Sequence, residues 1–309
     1  VILVLSGGTG GSKMVDGLAQ VVGQEALTAI VNTGDDGDFY GLRVCPDLDI
    51  CTYVLAGVVD ARGWGYADDT FHCLEGLATY GLPAWFGLGD RDLATHIYRT
   101  VRLGEGAPLH RVAAELCARL GVEARVLPMC DEPVRTRITT PAGERTFQEY
   151  LVRDGAGEEI TAIRMDGIDA ARPVPGALEA IAAAERIVIA PSSPVVSIGT
   201  ILAVPGIREA LRARRSDTIA VSPIIGGRPV EGPAHRFLAG AGYPECSATQ
   251  MARIYADVAG TFVLDARDAG EADAVAALGV RPVLTDALMP DRPARARLAG
   301  ACLDALAAA

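Results

Sequence analysis

Apolar residues fall along the chain in short unbroken runs, each stopped by glycine, serine or aspartate and followed by a stretch with helical spacing. Val1–Leu5 is the first run; Ser6-Gly7-Gly8 ends it, and Met14, Val15, Leu18, Val21 and Val22 then recur at the interval of one helix face. Leu27–Val31 repeats the run and ends in Asn32-Thr33-Gly34-Asp35-Asp36. A strand buried on both faces reads as continuous apolar sequence, and two such strands joined by a helix make a right-handed βαβ unit. Further runs at Ala124–Leu127, Arg186–Ala190, Thr218–Val221 and Thr261–Leu264 are separated by helical stretches rich in Ala and Leu. The pattern predicts an α/β fold on a parallel sheet.

Two stretches break the alternation. From Asp47 to Leu120 the spacing is mostly helical without a convincing strand, which is too long for a simple crossover and predicts a helical insertion over approximately 47–120 that caps the sheet. Val134–Arg153 alternates around Pro141-Ala142-Gly143-Glu144 and predicts a β-hairpin. With no repeat, linker or composition break, one α/β domain over residues 1–309 is expected.

Composition narrows the function. Half of the residues are hydrophobic and 22% are charged, a balance that excludes intrinsic disorder. The 28 basic residues against 39 acidic ones leave a net charge of −11, which argues against a nucleic-acid partner, since that needs a basic face. Seven cysteines without a CxxC pair, beside four histidines, read as reduced thiols of a cytoplasmic protein with no zinc site. No leader peptide is evident at the start, and the most apolar later stretch, Ile187–Ile207, contains Pro191, Pro194 and Pro205, so no membrane association is expected. Only one residue is a lysine, Lys13.

Ligands of a doubly wound sheet sit at the carboxyl ends of its strands, so the residues after each run carry the chemistry. Ser6–Lys13, SGGTGGSK, offers glycines for close backbone approach and a helix start with free N–H groups for phosphate. It is neither a Walker loop, because Ser12 and Met14 flank Lys13, nor a dinucleotide fingerprint, because Lys13 stands where a third glycine belongs. Asp35, Asp36, Asp38, Asp47 and Asp49 form an acidic cluster facing that loop. Such carboxylates would repel phosphate unless a divalent cation lay between, and oxygen ligands suit Mg²⁺.

Gly87–Asp92 precedes a helix carrying His96 and Arg99; Arg91 reads either as a surface ion pair or as a planar donor fork for a ring-shaped or anionic substrate. His72 and His96 read as packing or capping residues. Ala190–Pro194, with Ser197, Gly199 and Thr200, offers hydroxyls and N–H groups to a base or phosphate, with helix capping as the rival reading. No GxSxG elbow and no Cys–His or Ser–His pairing supports covalent hydrolysis.

Taken in order, SGGTGGSK at 6, NTGDD at 32, CPDLD at 45, GWG at 63, WFGLGDRDLATH at 85, LPMCDEPVRT at 127, FQEY at 147, APSSPVVSIG at 190 and SPIIGGRPVEGPA at 222 resemble the 2-phospho-L-lactate transferase family of coenzyme F420 biosynthesis. The resemblance implies a Rossmann-like fold and a homodimer. It also implies transfer of a phospholactyl, phosphoenolpyruvyl or phosphoglyceryl group from a guanosine diphosphate-linked donor to the deazaflavin Fo, with release of GMP. By motif it places Mg²⁺ on Asp35 and Asp47, with Asp36 as the nearest substitute, and Fo against Asp49 and Arg91. Asp49 and Asp36 are the carboxylates expected to act in catalysis. Gly8, Thr9, Gly10 and Lys13 are expected at the donor phosphates, and Ser192, Ser193 and Ser197 at the guanosine end. Ser193 replaces the asparagine of the family's PSNP segment, losing an amide that both donates and accepts. Two other readings accommodate the glycine-rich loop: a regulator of related fold that binds a nucleotide-sugar without turnover, and a nicotinamide dehydrogenase.

Overall fold

In the computed structural model, which describes residues 1–307, the apolar runs become the strands of one parallel sheet. The strands are β1 (Ile2–Ser6), β2 (Leu27–Val31), β3 (Arg125–Pro128), β4 (Arg186–Ile189), β5 (Thr218–Val221), β6 (Thr261–Asp265) and β7 (Arg281–Thr285). Their spatial order is β7-β6-β5-β4-β1-β2-β3, with every neighbouring pair parallel. The chain builds outward from β1 to β3, then returns to β4 on the other side of β1. The crevice beyond the carboxyl ends of β1 and β4 is therefore the topological switch point where such sheets take their ligands.

Successive side chains point to opposite faces, which gives the sheet two cores. Val4, Ala29, Val31, Val188 and Val263 pack beneath α1 (Gly8–Val22), α2 (Pro46–Leu55) and helix Arg292–Ala307, through Met14, Leu18, Leu48, Cys51, Leu298 and Cys302. Leu3, Leu5, Ile30, Ile187, Ile189 and Phe262 pack on the other face against Ile181, Ile201, Ile207, Met251 and Tyr255. Asp16 of α1, buried, is held by Arg292 and Arg295 at 3.1 and 2.9 Å, which fixes the helix that follows the glycine-rich turn.

Three elements differ from expectation. β7 has no apolar run because it is the sheet edge: its residues are half exposed, and Pro282 is tolerated where one side of the ladder is unpaired. The helical stretch 47–120 is not one insertion. α2 and α5 (Leu109–Arg119) cover the sheet beside α1, whereas α3 (His72–Thr79) and α4 (Asp90–Gly104) stand outside it, α4 over a small cluster of Val44, Leu88 and Leu93. The expected hairpin is a three-stranded antiparallel sheet: Arg135–Thr140 pairs with Gly143–Thr146 on one side and with Ala162–Asp166 on the other, while Glu149–Arg153 is a π-helical turn. A further hairpin, Gly37–Phe39 with Leu42–Val44, turns at Tyr40-Gly41, both with positive φ, and presents Phe39 beside the acidic cluster. Among the described residues no helix is long and apolar enough to cross a membrane.

Candidate active site

The loop after β1 is interlocked with the loop after β4 and the start of α2. Gly7 is extended, so its φ does not require glycine; space does, because a Cβ there would lie 2.7 Å from Ser197 Cβ and 2.9 Å from Asp47 Oδ2. A Cβ at Gly10 would run into the Pro191 carbonyl oxygen. Gly8 alone in this loop needs the left-handed backbone, at φ +63°, with open space beside it. α1 begins at once at Gly8, so Thr9 and Gly10 belong to its first turn, and no side chain caps it. The Gly8 N–H reaches the Asp47 carboxylate, and the remaining first-turn N–H groups, with the helix dipole, make this helix start one that favours negative charge.

Above this turn lies a cavity of about 280 Å³ lined by Gly7, Gly8, Thr9, Gly10 and Lys13 on one wall and by Ser192, Ser193 and Ser197 on another. The motif residues expected at the donor thus converge. Ser192 Oγ donates to the Gly7 carbonyl at 2.6 Å, and Ser193 Oγ accepts from the N–H groups of Val195 and Val196 at 3.4 and 3.3 Å. Both hydroxyls therefore also hold the loop in shape. Lys13 Nζ and Thr9 Oγ1 donate to the carboxylate of Glu231, which enters from the segment after β5.

Four of the five clustered aspartates are buried, Asp35, Asp36, Asp47 and Asp49, at 4 to 7% exposure, whereas Asp38 is exposed and paired with Arg43 at 2.7 Å. Asn32, missed by the motif reading, fastens the group: its Nδ2 donates to Asp47 Oδ2 at 2.9 Å and its Oδ1 accepts from the Gly34 N–H at 2.9 Å. Burial pushes the Asp36 carboxyl up to about 7 and Asp47 up to about 6; burial, with the charges of Asp47 and Asp36, raises Asp35 well above the usual range. Asp35 Oδ1 and Asp36 Oδ1 are buried with no hydrogen-bond partner. Orphaned carboxylate oxygens are costly unless a cation takes them up. Among the described residues no three His, Cys, Asp or Glu side chains converge into a full protein ligand set. The donor set fits Mg²⁺, which is held by one or two carboxylates and completes its shell with water and phosphate.

A second cavity, of about 320 Å³, is lined by Asp35, Asp36, Phe39, Trp85, Arg135 and Phe147 among others. Phe39 stacks on Phe86 at 4.1 Å and meets Trp85 edge-on at 5.6 Å, giving this cleft an aromatic wall. Phe147 lines both cavities, so the first cavity and the aromatic cleft adjoin. Phe39, Arg135 and Phe147 come from three separate elements, and nothing in their spacing along the chain signals that they meet.

Asp49 and Arg91 line neither cavity. Asp49 accepts from Arg99 Nη2 and lies 3.6 Å from His96 Nδ1. Arg99, 2% exposed, also donates to the Arg43 carbonyl at 3.2 Å, and His96 Nε2 lies 3.3 Å from Asp92 Oδ1, which accepts from Tyr53 OH at 2.7 Å. Arg99 acts electrostatically on Asp36 as well as Asp49, favouring the charged form of each against their burial. Much of the GDRDLATH segment is thus scaffold. Asp90 accepts from the N–H groups of His72 and Cys73, opening α3, while Asp69 accepts from those of Arg91 and Asp92, opening α4. Arg91 is exposed and donates to the Ala67 carbonyl at 3.2 Å; it pairs with neither flanking aspartate.

The family model described as 2-phospho-L-lactate transferase CofD matches residues 2–289. A phosphoenolpyruvate transferase of Streptomyces griseus is 46% identical over 310 aligned residues, covering 98% of this chain and 97% of its own, and one of Mycolicibacterium smegmatis is 42% identical with 98% of each chain covered. A solved structure from Bacillus halodurans, a member of the UPF0052 family, shares the fold with a TM-score of 0.66 at 19% identity, covering 98% of each chain. Full-length likeness to transferases decides for an enzyme over a non-catalytic regulator. The chain belongs to the 2-phospho-L-lactate transferase family.

Proposed function

We propose that this enzyme transfers a phosphoenolpyruvyl group from a guanosine diphosphate-linked donor to the terminal ribityl hydroxyl of the deazaflavin Fo, releasing GMP. The observation that carries the reading is the meeting at Phe147 of a phosphate cavity and an aromatic cleft that the buried Asp35 and Asp36 line. The choice of phosphoenolpyruvyl over phospholactyl or phosphoglyceryl rests on the names of the full-length relatives.

The donor phosphates lie over Gly8, Thr9 and Gly10 beside Lys13, with the guanosine end toward Ser192, Ser193 and Ser197. Fo enters the aromatic cleft between Phe39, Trp85 and Phe147. Its hydroxyl oxygen forms a bond to the phosphorus distal to guanosine, and the bond from that phosphorus to the GMP oxygen breaks. The hydroxyl proton passes to a carboxylate. Asp36 is one of the acids that line the cleft, and its carboxyl, pushed up by burial to about 7, suits a general base. Asp49 and Arg91 serve the acceptor from the cleft's surround, Asp49 by sharing Arg99 with Asp36 and Arg91 from the exposed first turn of α4.

Asp35 and Asp47 would hold Mg²⁺, which when bound supplies charge neutralisation at the donor phosphates. Beyond the metal ligands and the proton acceptor Asp36, the protein contributes positioning and N–H donors placed before the reaction begins. From membership of the family we further propose a cytoplasmic enzyme that draws on free Mg²⁺ and assembles as a homodimer. Incubation with Fo, Mg²⁺ and each of the three guanylylated donors in competition, followed by mass analysis, tests the reading. Extension of Fo by a phosphoenolpyruvyl phosphodiester supports it; extension with another donor corrects the group transferred, and no extension with any donor refutes it.

A further inference from the structure

The segment from Ser222 to Ala234 lines the phosphate cavity at its start and again from Val230 onward, and the proposed chemistry leaves its one acid, Glu231, without a role. Its base is anchored. Ile224–Ile225 pairs with Arg228–Pro229, the Gly226 N–H donates to both carboxylate oxygens of Asp268 at 2.9 and 3.0 Å, and the Val230 N–H donates to the Pro223 carbonyl at 3.1 Å. Beyond that anchor the chain runs along the cavity through Val230, Glu231 and Gly232. Gly232 has φ +63° and open space around it, a backbone that other residues rarely adopt.

Glu231 places one carboxylate oxygen on Thr9 Oγ1 and the other on Lys13 Nζ. Those groups stand at the uncapped start of α1, where the helix dipole favours negative charge. Two oxygens of one anion on a hydroxyl and an ammonium at a free helix start are the contacts a phosphate would make. Glu231 is not a core residue that must be paired to fold: its side chain keeps 36% of its exposure and that of Lys13 keeps 25%. The contact is therefore a reversible one, between groups that water can also serve.

We propose that Glu231 holds the place of a donor phosphate on Thr9 and Lys13 and that the donor enters by displacing it, so that Glu231 sets donor affinity. The inference rests on reading the cavity as the donor site. A carboxylate competing for the same two donors reduces the fraction of enzyme open to nucleotide, and apparent affinity falls by that fraction. A second possibility, that Glu231 touches the bound donor directly, predicts the opposite sign when it is neutralised.

Calorimetric titration of the full chain with GDP separates these outcomes. Glu231→Gln and Glu231→Ala are expected to bind GDP about three- to tenfold more tightly than the unaltered protein. The alanine variant guards against residual hydrogen bonding by the glutamine amide. Lys13→Ala is expected to bind GDP more weakly, which checks the donor site independently of Glu231. If Lys13→Ala weakens binding while both Glu231 variants bind as before or more weakly, displacement is overturned and the donor site stands. If none of the four proteins binds GDP, both readings fall.

Discussion

Arg99 is the most consequential buried charge in the structure, and its removal separates scaffold from chemistry. Arg99→Met would strip Asp49 of its cation and lose the hydrogen bond to the Arg43 carbonyl, in a place where Arg99 is 2% and Asp49 6% exposed. Breaking a buried pair by removing one partner costs about 3–5 kcal/mol, because the other charge is left without compensation. Unfolding entropy of about 2.1 cal/mol/K per residue over 309 residues then implies a fall in Tm of about 5–8 °C. Replacing both members, Asp49→Leu with Arg99→Met, removes the orphaned charge and is expected to recover most of that loss. Turnover is not expected to return with it, since Asp36 loses the guanidinium that favours its charged form. Calorimetric melting and the initial rate of Fo extension are measured on the same preparations. A fall below about 2 °C in the single variant would refute the energetic argument. A double variant that regains both stability and rate would make Asp49 and Arg99 scaffold only.

The raised carboxyls of Asp36, near 7, and Asp47, near 6, contribute stability that is complete below their ordinary range near 3.8 and is lost as pH rises through their folded values. Mg²⁺, which needs Asp47 ionised, is accordingly expected to raise Tm more at pH 8 than at pH 5; equal shifts would remove Asp47 from the metal site. Asp47→Asn is expected to abolish Mg²⁺-dependent turnover while leaving Tm unchanged or higher, because it relieves a crowded buried charge; near-normal activity would remove Asp47 as a ligand. Arg91→Lys is expected to raise the apparent KM for Fo several-fold with little change in Tm, since an ammonium cannot reproduce the planar fork. Unchanged Fo kinetics would leave Arg91 as a tie to the Ala67 carbonyl alone.

Much of the sheet was legible because central parallel strands must be apolar on both faces: β1, β2, β4, β5 and β6 all read as continuous runs. β7 escaped because an edge strand tolerates Pro282 and half exposure. The strand Ala162–Asp166 was hidden for a similar reason, being short, partly exposed and paired on one side only. At the site, residues following strand ends could be named from the pattern, since topology brings the ends of β1, β2 and β4 together. Partners contributed from elsewhere could not. Arg99 lies 50 residues from the Asp49 it neutralises and Glu231 lies 218 from Lys13, and no periodicity encodes such meetings. The GDRD segment was legible as a motif but not as a device. In sequence its aspartates read only as flanks of Arg91, and the start of α3 that it satisfies reveals Asp90 as a cap.

In the proposed reaction the acceptor attacks the phosphorus distal to guanosine. Identifying both products of a single turnover with Fo and the guanosine diphosphate-linked phosphoenolpyruvate donor tests that step. Phosphoenolpyruvyl-extended Fo and GMP are expected in equal amounts. Guanylylated Fo with free phosphoenolpyruvate would place the attack on the other phosphorus and contradict the arrangement of donor and acceptor proposed for the two cavities.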